Sequence, residues 1–296
     1  MNKSSFGSHF TVTTWGESHG KALGAVIDGC PAGLSLSEED IQKFLDRRKP
    51  GQSRYTTARK EGDLVEILSG VFEGKTTGTP ISLMVRNTDQ RSRDYGNIAY
   101  SYRPGHADYT FDAKYGFRDY RGGGRSSGRE TIGRVASGAV ASRLLASLGI
   151  SFCTYTKSIG PVSIKEFNPE EINNNAFYMP DADAAAKAGI YLEECMKNQD
   201  SAGGVIECRI SGVPAGLGNP VFEKLDAMLS QAVMSVGAVK AVEIGDGIQV
   251  AHMKGSEDND GFLIKDNVIT KASNHAGGIM GGISDGSEII LRAYIK

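Results

Sequence analysis

The sequence lacks the marks of several protein classes. No apolar run approaches the roughly 18 uncharged residues that a membrane-spanning helix needs, so we expect no contact with a membrane. The first ten residues, MNKSSFGSHF, contain one lysine and no apolar stretch, which is not the pattern of a secretory signal. The four cysteines are widely spaced and form no Cys-x-x-Cys pair, which argues against a zinc site and against a disulfide scaffold. These absences predict a cytoplasmic protein without a metal site.

A strong net charge is also lacking, since 33 Lys and Arg residues stand against 35 Asp and Glu residues and leave a net charge of −2. The charge is nevertheless uneven, because residues 43–60, KFLDRRKPGQSRYTTARK, hold seven basic residues and one acidic residue. A nearly neutral chain with a concentrated basic segment indicates a localised anionic ligand. Nucleic-acid binding through 43–60 is a weaker alternative, because no recognition-helix or aromatic-stacking motif accompanies it.

Glycine, by contrast, is abundant. The chain has 38 glycines in 296 residues, about 13% against a usual share of about 7%. They cluster without a Gly-X-Y period, which excludes a collagen-like chain. The clusters indicate tight turns or close approach of the backbone to a ligand.

The hydrophobic pattern predicts an α+β fold, because strands come in neighbouring pairs and do not alternate strictly with helices. A helix is predicted from Ser37, where Asp40 completes a variant of the capping box, to the break at Pro50-Gly51. Residues 87–128 show no clean periodicity, and their basic residues and tyrosines favour a functional segment over a disordered one. Further helices are predicted over 129–148, 181–198 and 219–234. Strands are predicted over 10–14, 23–27, 64–68, 81–85, 150–158, 204–211, 239–250, 263–270 and 287–295.

Two glycine-rich segments could bind an anion. Residues 69–76 nearly spell a nucleotide-binding P-loop, but Ser69 replaces its first glycine and Pro80 prevents the helix that a P-loop requires. We therefore predict a glycine turn between two strands there, and no nucleoside triphosphatase. Residues 122–128, GGGRSSG, directly precede a predicted helix, where backbone N–H groups, serine hydroxyls and the helix dipole favour an anion. A plain glycine-rich connector is the alternative for this run.

His19 and His106 each lie in a glycine-containing turn, within GESHG at 16–20 and RPGHA at 103–107. A single histidine in a turn is more often structural, but imidazole is the side chain best suited to acid–base chemistry near neutral pH. A metal site would need a third ligand at a sensible spacing, and none is identifiable. Ser18 is adjacent to His19, which is poor geometry for a serine nucleophile and its base.

Arginines of the basic segment and a late glycine cluster complete the candidates. Arg54 follows the Pro-Gly break and is therefore predicted in a loop, where a guanidinium suits a carboxylate or a phosphate. A solvated charged face is the alternative. Residues 274–284, NHAGGIMGGIS, contain four glycines and almost no charge, which indicates either a backbone wall against a flat ligand or a tight turn between strands.

Ten segments, including TTWGESHG at 13–20 and YRPGHADY at 102–109, together resemble the chorismate synthase family. The other matching segments are 46–51, 68–79, 87–92, 114–116, 122–127, 211–218, 242–247 and 273–278. Each is modest alone, but their order and spacing hold from near the first residue to near the last, and ten in order are highly specific.

The resemblance implies an α+β fold, a β-α-β sandwich of antiparallel sheets with helices, in one domain spanning 1–296. It implies a lyase that converts 5-enolpyruvylshikimate 3-phosphate to chorismate and phosphate by 1,4-elimination, in the shikimate pathway to the aromatic amino acids. Reduced FMN would be required although no net redox change occurs, with NADPH as a candidate reductant of the flavin. The enzyme would be a cytoplasmic homotetramer acting on a small anionic molecule, with no nucleic-acid or membrane partner.

The resemblance also assigns residues by motif. His19 would protonate the leaving phosphate, and His106 would protonate the reduced flavin. The positions that match substrate contacts are Ser18, Arg48, Arg54, Arg103, Ser127 and Arg129. The positions that match flavin contacts are Arg125, Ser126, Ser127, Gly237, Ala238, Gly281 and Lys296. Because Gly237 stands where the family often has asparagine, any flavin contact there is expected through the backbone.

The sequence stops at Lys296, whereas the family continues with a Lys-Pro-Thr flavin loop and an Arg-His-Asp-Pro motif. We therefore expect the family's C-terminal segment to be absent and the fold of the first 296 residues to be retained. The alternative to the lyase is an inactive, shortened chain that keeps a phosphate-binding surface.

Overall fold

A computed structural model describes residues 4–51, 55, 61–88 and 100–296. The chain divides into two compact units, Met1–Leu144 and Leu145–Lys296, each with its own five-stranded antiparallel sheet and accompanying helices. The predicted α+β class is thus confirmed. The strands are β1 (Ser5–Phe6), β2 (Thr11–Gly16), β3 (Ala22–Asp28), β4 (Val65–Ser69), β5 (Val71–Phe72), β6 (Lys75–Thr76), β7 (Ile81–Arg86), β8 (Ser151–Ile159), β9 (Val162–Ser163), β10 (Gly204–Ser211), β11 (Val239–Ile244), β12 (Phe262–Lys265), β13 (Val268–Lys271), β14 (Ile279–Met280), β15 (Ile283–Ser284) and β16 (Ile289–Ile295). The helices are α1 (Glu38–Arg48), α2 (Asp108–Tyr115), α3 (Thr131–Ser147), α4 (Ala182–Lys197), α5 (Leu225–Met234) and α6 (Gly255–Asp258).

The sheet of the N-terminal unit has the strand order β1-β2-β3-β7-β4. The central strands β3 and β7 turn alternate apolar residues toward α1 and α3, and Ile27, Ile81 and Ile132 have no exposed surface in the resulting core. Gly133 lets α3 approach the sheet closely, because a β-carbon there would lie 2.8 Å from the carbonyl oxygen of Gly24. The first turn of α3 is therefore held against β3.

The predicted start of α1 is confirmed. The hydroxyl of Ser37 accepts a hydrogen bond from the backbone N–H of Asp40 (3.3 Å), and the Asp40 carboxylate accepts from the N–H of Ser37 (3.1 Å). Ile41 and Leu45 of α1 are fully buried in the core. This packing leaves Arg48, the last residue of the helix, at the edge of the core, beside the site described below.

The sheet of the C-terminal unit has the order β11-β16-β10-β8-β9. One cluster of buried side chains, including Ile210 and Ile289, packs with Leu225 and Leu229 of α5. A second cluster joins Met179 to the buried alanines of α4. Helices α5 and α4 thus each cover a separate cluster of apolar side chains in this unit.

A charged group is buried in this second sheet. Glu207 of β10 is 1% exposed and accepts hydrogen bonds from Lys157 Nζ (2.5 Å), Arg292 Nε (2.6 Å) and the hydroxyl of Tyr155. Burial alone raises the pKa of a carboxyl group, but the hydrogen bonds from Lys157, Tyr155 and Arg292 outweigh it and lower the pKa of Glu207 to about 2. Glu207 is therefore ionised at neutral pH and ties β10 to its two neighbouring strands.

Three predicted elements in the C-terminal unit need correction. The helix predicted over 219–234 begins at Leu225, because Asn219 donates its backbone N–H to the carbonyl of Glu223 (3.0 Å) and closes a turn first. The strand predicted over 263–270 is the hairpin β12–β13, whose turn residues Asp266 and Asn267 both have positive φ. The strand predicted over 239–250 ends at Ile244, where a turn and a short 3₁₀ helix follow.

In the N-terminal unit, the turn predicted over 69–76 is confirmed as the short hairpin β5–β6, with positive φ at Glu73 and Gly74. The segment 87–128 contains α2, which the sequence pattern did not indicate. Within α2 only Asp108 is buried, so no apolar stripe marks the helix. Among the described residues, no helix has the length and apolar character needed to cross a membrane.

Candidate active site

The turn that follows β2 holds Ser18 and His19. Ser18 is 2% exposed, and its hydroxyl oxygen lies 3.1 Å from Nδ1 of the half-buried His19. Asn87 lies just after β7, and its side-chain amide donates to the carbonyls of Glu17 (3.1 Å) and Gly20 (2.7 Å). These two hydrogen bonds link the residues on either side of Ser18 and His19. The predicted turn around His19 is thus held in place by the neighbouring part of the sheet.

The glycine-rich run 122–128 lies against His19. Gly122 has φ +118, and a β-carbon at this position would overlap the imidazole ring. The run forms two short 3₁₀ turns, Gly124–Ser126 and Gly128–Glu130, before α3 begins at Thr131. Gly122 is therefore required both by the backbone conformation and by the space that the imidazole occupies.

A cavity of about 170 Å³ opens beside this run. Its wall combines the rings of Phe111 and Phe117 with the backbone of 122–124 and with charged side chains that include Asp119 and Arg125. Hydrogen bonds from Arg121 hold the pKa of Asp119 below its usual value, and the nearby His19 contributes to the same effect. The cavity thus combines flat apolar surface with charges of both signs.

His106 lies in the turn before α2 and is exposed. Its Nδ1 is 3.0 Å from the carbonyl oxygen of Pro104, and since a carbonyl only accepts, Nδ1 carries the proton. Nε2 is therefore the nitrogen that can gain or lose a proton. Arg103 closes the same turn by donating Nε (2.9 Å) and Nη2 (2.8 Å) to Asp108, and these hydrogen bonds hold the pKa of Asp108 well below its usual value.

Two of the predicted arginines meet in a buried ion cluster. Arg48 donates Nη1 to Asp63 (2.7 Å), Nε to the hydroxyl of Thr131 (3.1 Å) and Nη2 to the carbonyl of Gly128 (3.2 Å). Arg129 is 5% exposed, and its Nη1 lies 3.1 Å from the other carboxylate oxygen of Asp63. Arg48 and Arg129 are thus brought together, whereas Arg54 lies outside the described residues.

The residues of the run 122–128 that are predicted to contact flavin form hydrogen bonds within the N-terminal unit. Arg125 donates Nη1 to the carbonyl of Gly16 (3.0 Å) and Nη2 to the hydroxyl of Thr14 (2.6 Å). The hydroxyl of the exposed Ser126 donates to the carbonyl of Gly123 (2.6 Å). Ser127 accepts a hydrogen bond from the backbone N–H of Arg129 (3.3 Å) and caps the second 3₁₀ turn. These contacts fix the shape of the run.

The remaining predicted flavin contacts belong to the C-terminal unit. Lys296 follows β16, and its backbone N–H donates to the carbonyl of Ala238 (3.2 Å), so these two residues and Gly237 lie together at one end of the paired strands β11 and β16. The Lys296 ammonium donates to the carbonyl of Ser201 (2.9 Å). Gly281 is exposed in the turn between β14 and β15, with φ +60 and open space around the position of a β-carbon.

The segment 274–284 forms a tight turn and the hairpin β14–β15, which is one of the two alternatives given for it. Its base is fixed by Lys271, which is 4% exposed and donates to Asp285 (2.7 Å) and Asp260 (3.1 Å). Asp260 also accepts from the backbone N–H of His275 (2.8 Å). Among the described residues, no group of His, Cys, Asp and Glu side chains is arranged to hold a metal ion.

His275 is expected to titrate above an ordinary histidine. Its Nδ1 lies 2.6 Å from the Asp246 carboxylate, and this hydrogen bond raises the pKa of His275 from 6.5. The pairing with Asp246 therefore stabilises the folded protein fully below pH 6.5. This contribution is lost as the pH rises through the raised pKa of His275. An NMR titration of the imidazole measures this directly, and Asp246→Asn should return the pKa toward its ordinary value. An unchanged titration in Asp246→Asn would contradict the pairing.

Sequence reasoning gave no role to four residues that organise the site: Glu61, Asp63, Asn87 and Asp108. Asp108 pairs with Arg103 of the same turn, whereas the other three have partners farther along the chain, as when Asn87 joins the turn of His19 to Nε of Arg129 (3.0 Å). A weak signal was available at 61–63, because Glu-Gly-Asp follows the basic segment directly. Carboxylates next to so many cations indicate ion pairs, but the partners could not be read from spacing.

Known proteins of similar sequence point to one family. Residues 10–296 match the family model of chorismate synthase. The chain is 65% identical to the chorismate synthase of Agathobacter rectalis, across 100% of this chain and 81% of the relative. It is 66% identical to the chorismate synthase of Lachnoclostridium phytofermentans, across 100% of this chain and 82% of the relative.

Among solved structures, a crystal structure of chorismate synthase matches with a TM-score of 0.83 and 34% identity, over 98% of this chain and 85% of that chain. The fold and the matches together define an enzyme of the α+β class. The chain belongs to the chorismate synthase family, as the ten motifs predicted.

Proposed function

We propose that the enzyme converts 5-enolpyruvylshikimate 3-phosphate to chorismate and phosphate, a lyase reaction of the shikimate pathway. The carbon–oxygen bond to phosphate breaks, a hydrogen leaves C6, and the second ring double bond forms without net oxidation. The observation that carries the proposal is the position of His19, whose imidazole lies directly against Gly122, and Gly122 is a residue of the cavity wall. A proton donor beside a glycine-rich anion site suits the departure of a phosphate.

The two histidines are assigned separate proton transfers. His19 protonates the leaving phosphate, while the Ser18 hydroxyl at Nδ1 orients its ring. His106 would donate its proton toward the reduced flavin from Nε2, since the carbonyl of Pro104 holds the other proton on Nδ1. Both groups lie on turns that are fixed by side-chain hydrogen bonds, which reduces the cost of placing them for each turnover.

The substrate carries one phosphate and two carboxylates, and we assign these groups to Arg48, Arg54, Arg103 and Arg129, with Ser18 and Ser127 as hydroxyl donors. Guanidinium groups bind such anions through paired, charge-assisted hydrogen bonds. In the described residues, Arg48 is the more exposed member of its ion cluster, at 17% against 6% for Arg129. Arg48 is therefore assigned the direct contact, with Arg129 in support.

Reduced FMN fits the residues present in part: the cavity offers two phenylalanines and glycine backbone to an isoalloxazine, and it places Arg118 and Arg125 beside three carboxylates. When bound, the reduced flavin supplies electron density to the reacting ring, and NADPH is the proposed source of its electrons. A volume of about 170 Å³ is below the roughly 300 Å³ of sites that enclose a whole small ligand. Within the N-terminal unit, Arg125 and Ser126, which line this cavity, and the adjacent Ser127 would contact the flavin.

The other assigned flavin contacts are Gly237, Ala238, Gly281 and Lys296. Three of them lie at one end of the strands β11 and β16, where Gly237 and Ala238 are exposed and offer only backbone groups and a methyl. The ammonium of Lys296 offers a positive charge that suits a phosphate. We also propose that residues 1–296 act as one chorismate synthase-like domain, because the family match runs across the boundary between the two units.

A cytoplasmic homotetramer is proposed from the family, with neither nucleic acid nor membrane as a partner. Exposed apolar side chains of the hairpin β12–β13 support assembly, since Ile264 is 80% and Ile269 is 72% exposed. The four cysteines are unpaired by disulfides, which suits a reducing compartment. Light scattering after size-exclusion chromatography measures the mass, and a monomer would contradict the assembly.

Gly122→Ala is expected to slow turnover about tenfold, because the added methyl displaces the imidazole of His19, and small displacements of a catalytic group are costly. Gly216→Ala is the matched control: Gly216 has a similarly positive φ (+106), but a β-carbon there meets nothing within 4 Å. Both variants therefore place alanine in a comparable backbone conformation, and only Gly122→Ala should lose activity. Equal rates in the two variants would separate Gly122 from the function of His19.

The test of the proposed function is an anaerobic assay of phosphate release from 5-enolpyruvylshikimate 3-phosphate. With reduced FMN we expect catalytic release, and with oxidised FMN none. Tight binding of the substrate without release under both conditions would favour the alternative, an inactive chain with an anion-binding surface.

A further inference from the structure

Two buried carboxylates, Glu61 and Asp63, lie next to arginines of the candidate site. Asp63 and Glu61 have fully buried side chains, each with 0% exposure. Asp63 contacts both guanidinium groups, Arg48 at 2.7 Å and Arg129 at 3.1 Å, through its two different oxygens. Glu61 accepts hydrogen bonds from the backbone N–H (3.0 Å) and the hydroxyl (2.7 Å) of Thr88. Asp63 is thus the group that joins the two arginines.

The backbone at Asp63 is held in a costly conformation. Its φ is +45, in the left-handed region that residues with a side chain rarely adopt, and its carbonyl accepts from Nε2 of Gln42 (3.3 Å). Such conformations persist where the surrounding contacts require them, and they are common at functional sites. A buried ion pair is in addition a poor source of stability, because desolvation offsets its attraction.

The burial of Asp63 also limits how it can act. With no exposed side-chain surface it cannot touch a ligand, whereas Arg48 is 17% exposed. Arg48 has five N–H donors, and hydrogen bonds from Nε, Nη1 and Nη2 hold its guanidinium plane to Thr131, Asp63 and Gly128. The plane is therefore fixed before any ligand arrives.

We propose that Asp63 is a positioning residue, which sets the guanidinium of Arg48, with Arg129 sharing its carboxylate, to receive a phosphate or carboxylate of the substrate. The identity of that substrate rests on the proposed function. The positioning itself concerns any small oxyanion, because preorganised donors bind an anion without first losing side-chain freedom.

Asp63→Asn tests the proposal, since asparagine keeps the shape and tolerates the left-handed backbone but removes the charge. We expect roughly tenfold weaker binding of 5-enolpyruvylshikimate 3-phosphate, the effect of losing a charged hydrogen-bond partner, measured by calorimetry. In an Arg48→Ala background the same change should have no further effect, because Asp63 acts through Arg48. A merely structural role would lower the melting temperature in both backgrounds and leave affinity unchanged in each.

Two controls separate positioning from stability. Ile81→Val weakens the same core without touching the arginines, and Asp46→Asn removes an exposed carboxylate of α1 that pairs with Lys49. Both should bind the substrate as the wild type does. If Asp63→Asn does not fold, Asp63→Gly replaces it, because glycine suits the backbone at this position.

Inorganic phosphate is the second probe, followed as a ligand-induced rise in melting temperature. If the wild type does not turn over the substrate, the proposed function fails. The positioning role is still supported if phosphate raises the melting temperature of the wild type and does not raise that of Asp63→Asn. Unchanged affinity in Asp63→Asn, or an equal loss in the Arg48→Ala background, would overturn the proposal. A wild type that binds neither ligand would overturn it as well.

Discussion

Replacing His19 with alanine is expected to slow turnover by about 10²–10⁴-fold, and replacing His106 with alanine is expected to do the same. Each change removes a positioned proton donor, and no other imidazole is assigned to either step. Folding should change little, because neither ring belongs to the buried apolar core and His106 is exposed.

Steady-state rates with saturating reduced FMN, together with melting temperatures, check this expectation. His252→Ala is the control, since His252 is exposed and has no assigned role. A variant of His19 or His106 that keeps near-normal turnover would remove that histidine from the mechanism. A slowed His252→Ala variant would show instead that the assay responds to histidine loss in general.

Arg48→Ala is expected to weaken substrate binding by about 10- to 100-fold while flavin binding stays nearly intact. The lost charge-assisted hydrogen bond accounts for about 1.5–3 kcal/mol. The protein should also lose stability, because Asp63 loses one of the two cationic partners that the described part of the chain gives its buried carboxylate. The same loss of affinity is expected for Arg54→Ala.

Titrating the substrate into each folded variant decides the point. Arg48→Lys should recover affinity only in part, because an ammonium cannot reproduce the two-pronged geometry of a guanidinium. Arg143→Ala is the control: Arg143 is a half-exposed arginine of α3, and its loss should change affinity by less than about twofold. Unchanged affinity with both Arg48 and Arg54 replaced would separate the basic segment from the site.

Elements with strong local signals could be predicted from the sequence. The capping box at Ser37, the strand over 204–211 and the turn within 69–76 depend on neighbouring residues, and the structure has all three. Helix α2 could not be predicted, because its single buried residue is an aspartate held by Arg103. The hairpin β12–β13 replaces a single predicted strand because Asp266 and Asn267 adopt positive φ and form a turn.

The candidate site could likewise be predicted only in part. The histidines and arginines stood out by residue type and by the turns that carry them, and the family resemblance added their expected roles. The burial of Asp63 between Arg48 and Arg129 could not be predicted, since it depends on the approach of the start of α3 to the end of α1. Gly122 was visible as one glycine of a run, but the imidazole that requires it lies about a hundred residues earlier in the chain.

We propose that this chain eliminates phosphate from 5-enolpyruvylshikimate 3-phosphate with no net change in the oxidation state of its flavin. The decisive measurement is anaerobic mixing of the enzyme, reduced FMN and excess substrate, with phosphate, chorismate and flavin absorbance followed together. We expect one phosphate for each chorismate over many turnovers, with the flavin reduced at the end. Phosphate without chorismate, stoichiometric oxidation of the flavin, or no product at all would contradict the account.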